Sequence, residues 1–242
     1  MKTSTKLFAG FLGLLVCLML MSDIVLRSNF AKGITNNPNS NYSSQVKKNT
    51  TTTVQPFKIL VVINAAAREM ALKEGQAIAP EKKTVINELA NKGQVYLSKA
   101  EQYTVTHNDG ITVQQSGDTL TIMIIQPSPL TVNCPDVREI RNEYANISIE
   151  RLQPEQLQLT TSAISATYFA DCKAGTLRIN GGAYALIDLP GDRNKVDSLY
   201  LTLGKHSELS VRDMNTSFSD IRVDSLGSLN ISGKVLLGLR TK

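Results

Sequence analysis

From Val137 onward the chain repeats a short pattern of apolar, polar, apolar residues. The triplet stands at Val137–Glu139, Leu157–Leu159, Leu177–Ile179, Leu199–Leu201 and Ile221–Val223, with spacings of 20, 20, 22 and 22 residues. Ten residues after each start a second triplet follows: Ile147–Ile149, Thr167–Phe169, Ile187–Leu189, Leu209–Val211 and Ile231–Gly233. Of the twenty outer positions only Glu139, Thr167 and Gly233 are not apolar, whereas a chain that is 42% hydrophobic would place about eight apolar residues there by chance. The central positions, among them Arg138, Gln158, Tyr168, Arg178, Asp188, Tyr200 and Arg222, include no aliphatic side chain.

Period-two alternation sends successive side chains to opposite faces of a strand. A repeat near twenty residues marks a solenoid, whose thin coils bury their apolar sides only by stacking. The pattern therefore predicts an all-β fold: a right-handed parallel β-helix, or β-solenoid, of about five coils over residues 130–242. The return step lengthens from ten to twelve residues in the later coils, so two-residue insertions are expected within Pro190–Ser198 and within Arg212–Asp220. An even insertion leaves the inward faces unchanged. An antiparallel β-sandwich with strands about ten residues apart is the competing architecture.

Upstream, Lys58–Ile63 reads as a strand. Tyr103–His107 and Ile111–Gln115 flank the turn signal Asn108-Asp109-Gly110, and Ser116-Gly117-Asp118 precedes Leu120–Ile125, so residues 103–125 read as a small three-stranded β-meander. Between these, Ala65–Gly93 carries helix-forming Ala, Glu, Lys and Met together with a strand-like alternation at Met70 and Leu72, and a short helix is expected there. Residues 57–126 are thus expected to form a β-rich capping region ahead of the solenoid at 127–242. Cys134 and Cys172 fall in coils two rungs apart, roughly 9.6 Å or more along the stack at about 4.8 Å per rung, and should stay unpaired. At the far end Val235, Leu236, Leu237 and Leu239 form an apolar strand, expected either to cap the last coil or to join a second copy through its C-terminal edge.

The N-terminus has a different pattern. Leu7–Met21 is an apolar run broken only by glycine, and Ile24–Leu26 extend it. A helix over 7–26 rises roughly 30 Å, the hydrocarbon thickness of a bilayer. Lys2 and Lys6 on the short side favour the cytoplasm. Residues 1–26 therefore read as an N-terminal membrane anchor, with the bulk of the chain periplasmic or extracytoplasmic in a bacterial envelope. A cleaved signal peptide is the alternative, although no A-x-A site follows and Val16 precedes Cys17 where lipidation needs a small residue. Residues 27–56, rich in Asn, Ser and Thr and including Thr50–Thr53, bury too little to offset their ordering entropy and read as a disordered polar tether. The net charge of +5 is spread along the chain, without the basic stripe and interleaved aromatics that nucleic-acid binding needs, so no nucleic-acid partner is expected.

Three stretches share a likeness. Met1–Lys6 with its apolar run, the turn and strand of Gln115–Ile122, and the entry segment Thr131–Val137 resemble the auto-transporter adhesin head GIN domain family of bacterial envelope proteins. The resemblance covers roughly 103–242 and the anchor. It implies a β-helical head and a role in adhesion. Where that family has Gly-rich strand ends, Asn180–Gly182 and Leu226–Ser228 keep the pattern, but Arg141–Glu143 and Gly204–His206 depart from it.

Candidate chemistry is sparse. The chain has two histidines, His107 beside a turn and His206 in a coil corner, and no phosphate loop, zinc spacing or dinucleotide fingerprint. Asp188, Asp192, Arg193 and Asp197 around one corner could be cast as the calcium and base cluster of a β-helical polysaccharide lyase, but charged turn residues account for them as well. No catalytic, cofactor-binding or metal-binding residue is assigned. The expected function is that of a non-enzymatic, membrane-anchored binding or adhesion module for an envelope glycan or protein, with a purely structural envelope role as the alternative. The candidate surface is Arg178, Tyr200 and Arg222, outward on one sheet, with Asp192 and Arg193 at the stacked corners.

Overall fold

A computed structural model describes residues 49–74, 80–126, 128–214, 216–233, 235 and 239–241, together with Met19 and Arg27. Of two compact units, Met1–Val46 and Lys47–Lys242, the second holds both sheets. In the first, Met19 and Arg27 are helical and exposed. The rest of the anchor at 7–26, and the tether up to residue 48 apart from Arg27, lie outside the described residues. No helix among the described residues is long and apolar enough to cross a membrane.

The described residues are mostly β. The first sheet has nine strands: β1 (Thr50–Thr53), β3 (Val95–Lys99), β4 (Thr104–His107), β7 (Leu130–Cys134), β9 (Asn146–Glu150), β11 (Ala166–Ala170), β13 (Leu186–Asp188), β15 (Ser207–Val211) and β17 (Leu226–Ile231). Their order is β1-β4-β7-β3-β9-β11-β13-β15-β17. The second sheet also has nine: β2 (Ile59–Asn64), β5 (Ile111–Ser116), β6 (Thr119–Ile124), β8 (Glu139–Glu143), β10 (Gln156–Thr161), β12 (Lys173–Gly181), β14 (Lys195–Leu203), β16 (Phe218–Val223) and β18 (Leu239–Thr241). These run β18-β16-β14-β12-β10-β8-β2-β6-β5.

From β8 onward the chain alternates between the sheets, and from β10 onward each strand pairs in parallel with the one laid down two strands earlier. The antiparallel sandwich pattern is therefore confined to the N-terminal strands. Parallel register stacks like on like. In the second sheet Leu120, Leu60, Ile140, Leu159, Ile179, Leu201 and Ile221 are successive partners. In the first sheet Leu130, Val95, Ile147, Thr167, Ile187 and Leu209 are successive partners. The apolar members of both columns belong to one buried cluster, each contributing on the order of 1.5–3 kcal/mol of hydrophobic stabilisation. Thr167 interrupts the second column with a fully buried hydroxyl that has no hydrogen-bond partner among the described residues, a local cost of about 1–3 kcal/mol.

Two registers differ from the sequence reading. In the first coil Ile140, not Val137, aligns with the ladder, because Glu139 pairs with Gln158 and Ile140 with Leu159. Val137 is buried, but it precedes the strand. In the last coil Leu201 pairs with Ile221 and Leu209 with Leu229. The insertion expected within Arg212–Asp220 is thus not there, whereas the one within Pro190–Ser198 is, since Leu177 pairs with Leu199. The last-coil shift is of two residues, which keeps every side chain on its face, so hydrophobicity alone could not distinguish those registers; the first-coil shift is of one residue and puts apolar Ile140 where the repeat sets Glu139.

The N-terminal strands join the same two sheets. β2 lies between β6 and β8, and β3 between β7 and β9, all parallel. The three-stranded meander is corrected. β5 and β6 do form an antiparallel hairpin, but β4 pairs with β1 and β7 in the other sheet. The Asn108–Gly110 turn carries the chain across instead of reversing it within a sheet, a choice that turn chemistry does not encode. Thr50–Thr53 also departs from its reading as tether: it is an exposed edge strand, held by pairing with β4 and by a 3.0 Å contact between the Thr51 and Thr106 hydroxyls. β-Branched residues suit a strand without being buried.

The connection from β2 to β3 contains two helices, α1 (Ala65–Glu74) and α2 (Pro80–Lys92), where one short helix was expected. Asn64 ends β2 and caps α1: its Oδ1 accepts the Ala67 N–H at 3.1 Å, while its Nδ2 donates to the Leu89 carbonyl at 3.1 Å. Ala67, Ala71 and Ile86 pack on Ile164, with Tyr144 and Tyr184 alongside.

Ile164, Tyr144 and Tyr184 belong to a repeated corner. Tyr144, Ile164, Tyr184 and His206 each follow a second-sheet strand and have φ of 58°, 52°, 58° and 57°. This left-handed conformation is uncommon outside glycine. Polar side chains brace it. Asn142 bonds both the N–H and the carbonyl of Ala145, and Ser207 donates to the carbonyls of Gly204 and Gly182.

At the other end Val235 is fully buried and β18 adds in parallel to β16, Leu239 beside Ile221, so this apolar segment extends the ladder. Leu236 and Leu237 lie outside the described residues. Cys134 and Cys172 are buried free thiols, and two strands, β3 and β9, lie between β7 and β11. Burial, helped by the nearby Asp136 charge, pushes the Cys134 thiol up to about 12.

Candidate functional site

β12 and β14 are nine residues long and present alternate side chains outward. Parallel pairing brings Arg178 beside Tyr200 and Tyr200 beside Asp220; in the flanking rows Ser198 meets Phe218 and Thr202 meets Arg222. The Arg178 guanidinium lies 4.0 Å from the Tyr200 ring centroid. The Tyr200 and Phe218 rings are 5.2 Å apart and tilted by 40°. Phe218 remains 48% exposed, an apolar ring that the fold leaves open. Arg222 forks onto Asp220, Nη2 to Oδ2 at 2.8 Å and Nε to Oδ1 at 3.3 Å. Arg178, Asn180, Tyr200, Thr202, Asp220 and Arg222 line a shallow depression of about 240 Å³.

The chemistry available here is recognition. Aromatic faces can stack on a flat apolar surface, the guanidinium groups can pair with carboxylate oxygens, and Asn180 and Thr202 can exchange hydrogen bonds with hydroxyls. The Arg178–Tyr200 contact is worth about 0.5–1 kcal/mol at an exposed position and holds both groups in place.

Three of the five residues singled out from the sequence, Arg178, Tyr200 and Arg222, thus come together on one outward face, with Arg222 one row from its expected place. Asp192 and Arg193 do not join them. They occupy the corner after β13, where Arg193 forks onto Asp171 at 2.7 and 3.2 Å and holds that carboxyl below its usual range. The triplet pattern does not mark Phe218 and Asp220, although they lie four and two residues before Arg222 on the same face of β16. The imagined lyase cluster is dispersed: Asp188 is on β13, Asp192 and Arg193 are in the corner, and Asp197 is on β14. Among the described residues no three His, Cys, Asp or Glu side chains gather as a metal site. His107 contacts the Asn108 carbonyl at 2.9 Å, and His206 stacks on Tyr184 at 5.2 Å.

No protein-family model and no curated protein matches the sequence. Solved structures do. A putative adhesin from Parabacteroides merdae aligns with a TM-score of 0.48 at 9% identity, over 74% of this chain and 78% of that one. A putative lipid binding protein from Parabacteroides distasonis aligns at 0.41 and 8% identity, over 74% and 79%. A putative adhesin from Parabacteroides distasonis aligns at 0.54 and 10% identity, over 76% of this chain and 74% of that one, and with it the chain shares a fold.

Proposed function

We propose that the chain is a non-enzymatic binding head of the bacterial envelope, held at a membrane by residues 7–26 and a polar tether, and akin to the GIN-domain adhesin heads. In this reading the parallel ladder winds as a right-handed β-helix, the hand that parallel crossovers adopt almost without exception. The fold shared with a putative adhesin supports a role in adhesion. The carrying observation is the open Arg178–Tyr200–Phe218 platform beside Asp220–Arg222. Two guanidinium groups against one carboxylate leave this depression net positive, which favours a glycan with acidic groups over an uncharged one.

The solubilised full-length chain should bind an oligogalacturonate hexamer, and the double variant Tyr200→Ala/Phe218→Ala should bind it at least tenfold more weakly with its melting temperature kept. Unchanged affinity in that variant removes the platform from the reading, and an unsaturated product would mean that the protein is a lyase. The location has its own test: protease added to spheroplasts should degrade the domain and leave an N-terminal fragment in the membrane, whereas full protection would place the domain inside.

A further inference from the structure

The first sheet carries a second recess, on the face covered in part by α2. One part, about 150 Å³, lies between α2 and the sheet, where Lys83, Asn87 and Asn91 meet Asn146, Tyr168 and Tyr184. A second part, about 380 Å³, continues over Asp188, Glu208, Arg212 and Asn230. The two share Tyr168, Leu186 and Glu208 and so form one groove. Its lining comes from β9, β11, β13, β15 and β17, four interstrand steps, or roughly 19 Å at about 4.8 Å each. A ligand filling it must be extended and lie across the strands.

The lining is specific about what that ligand can be. Lys83 and Arg212 balance Asp188 and Glu208, so neither an acid nor an amine is favoured overall. Lys83 sits 4.4 Å from the Tyr184 ring centroid and occupies that aromatic face. Tyr168, 37% exposed, keeps its ring open beside Leu186. The Asn146 amide is committed to Asn91 and to the Ala166 N–H. Asp188 is not: its Oδ1 is buried and has no hydrogen-bond partner among the described residues. Desolvation, then the charges of Asp188 and Glu208, push the Tyr168 hydroxyl up, so it remains a hydrogen-bond donor at neutral pH.

We infer that this groove binds an uncharged oligosaccharide, with Tyr168 against the apolar face of one sugar ring and Asp188 and Glu208 accepting from sugar hydroxyls. The site uses other residues and another sheet than the platform of Arg178 and Tyr200, and it stands or falls without it.

Titration calorimetry of the solubilised full-length chain with hexamers of β-glucan, mannan and N-acetylglucosamine, alongside chitosan and oligogalacturonate hexamers, tests it. At least one uncharged hexamer should bind saturably. Tyr168→Ala and Asp188→Ala should each weaken that binding at least tenfold, and Tyr200→Ala should leave it unchanged. Asn87→Ala, at an exposed helical position, should weaken it several-fold and serves if the Tyr168 variant does not fold. Silence from all three uncharged hexamers, binding that survives the groove substitutions, or a preference for the amine-bearing chitosan hexamer overturns the inference.

Discussion

Replacing Asn194 with alanine is expected to destabilise the domain by about 3 kcal/mol or more. Asn194 is 6% exposed, in the corner between β13 and β14. Its Oδ1 accepts the Cys172 N–H at 3.0 Å, while its Nδ2 donates to the Phe169 carbonyl at 3.1 Å and the Pro190 carbonyl at 2.7 Å. One side chain thus satisfies backbone groups of two successive coils. Alanine strands all three, and a buried backbone group without a partner costs about 1–3 kcal/mol, offset in part where water can enter. Asn194→Asp should be little better, since it keeps the acceptor but loses both donors and adds a buried charge. Urea denaturation of the purified chain measures this. A loss below about 1 kcal/mol in the alanine variant would show that the corner is braced by something else.

The second large effect is expected at Gly191, three residues earlier. A Cβ there would stand 2.3 Å from the Cα and N of Met214 and 2.5 Å from the Arg212 carbonyl oxygen. These are backbone atoms of the next coil, and they cannot turn aside as a side-chain tip could. The approach is close because the Gly191 N–H donates to the Arg212 carbonyl at 2.6 Å. Gly191→Ala must push the coils apart at that bond, at a cost of about 3 kcal/mol, the upper end of the overpacking range. Gly117→Ala supplies the comparison. Its Cβ would meet nothing within 4 Å, and only its φ of +53° opposes the change, at a cost of about 1–2 kcal/mol. Equal losses in the two variants would contradict the tight contact.

Much of this architecture is legible in the sequence because parallel stacking places similar residues in register. The alternation in Leu157–Leu159, Leu177–Ile179 and Leu199–Leu201 identifies inward and outward faces, and with them the outward placement of Arg178, Tyr200 and Arg222. What it cannot identify is register to within two residues, so the 22-residue spacing sets Arg222 beside Tyr200 where Asp220 stands. The same ambiguity hides Phe218 from the repeat pattern. The corners were less legible still. Asn142, Asn194 and Ser207 look like ordinary turn residues, and their role as buried braces follows from coil-to-coil hydrogen bonds that no local pattern contains. The groove under α2 depends on where a helical insertion folds back, which hydrophobic periodicity does not specify.

The placement of β2 and β3 has a consequence for how the protein is made. This pair leaves the ribosome early, yet it lies in the middle of the sheets, with β6 and β7 on one side and β8 and β9 on the other. After β7 the chain must pass over it to start β8, along Pro135–Arg138, where Asp136 meets Lys58 at 2.8 Å and the Arg138 and Glu139 N–H groups reach the Lys58 carbonyl. A simple solenoid can assemble coil by coil as its chain emerges. Here the first-made rung has to wait with both edges open until later segments cover each in turn. Premature release or slow translation between residues 64 and 139 should therefore leave a template exposed on two sides, the kind of intermediate that chaperones hold and aggregates capture.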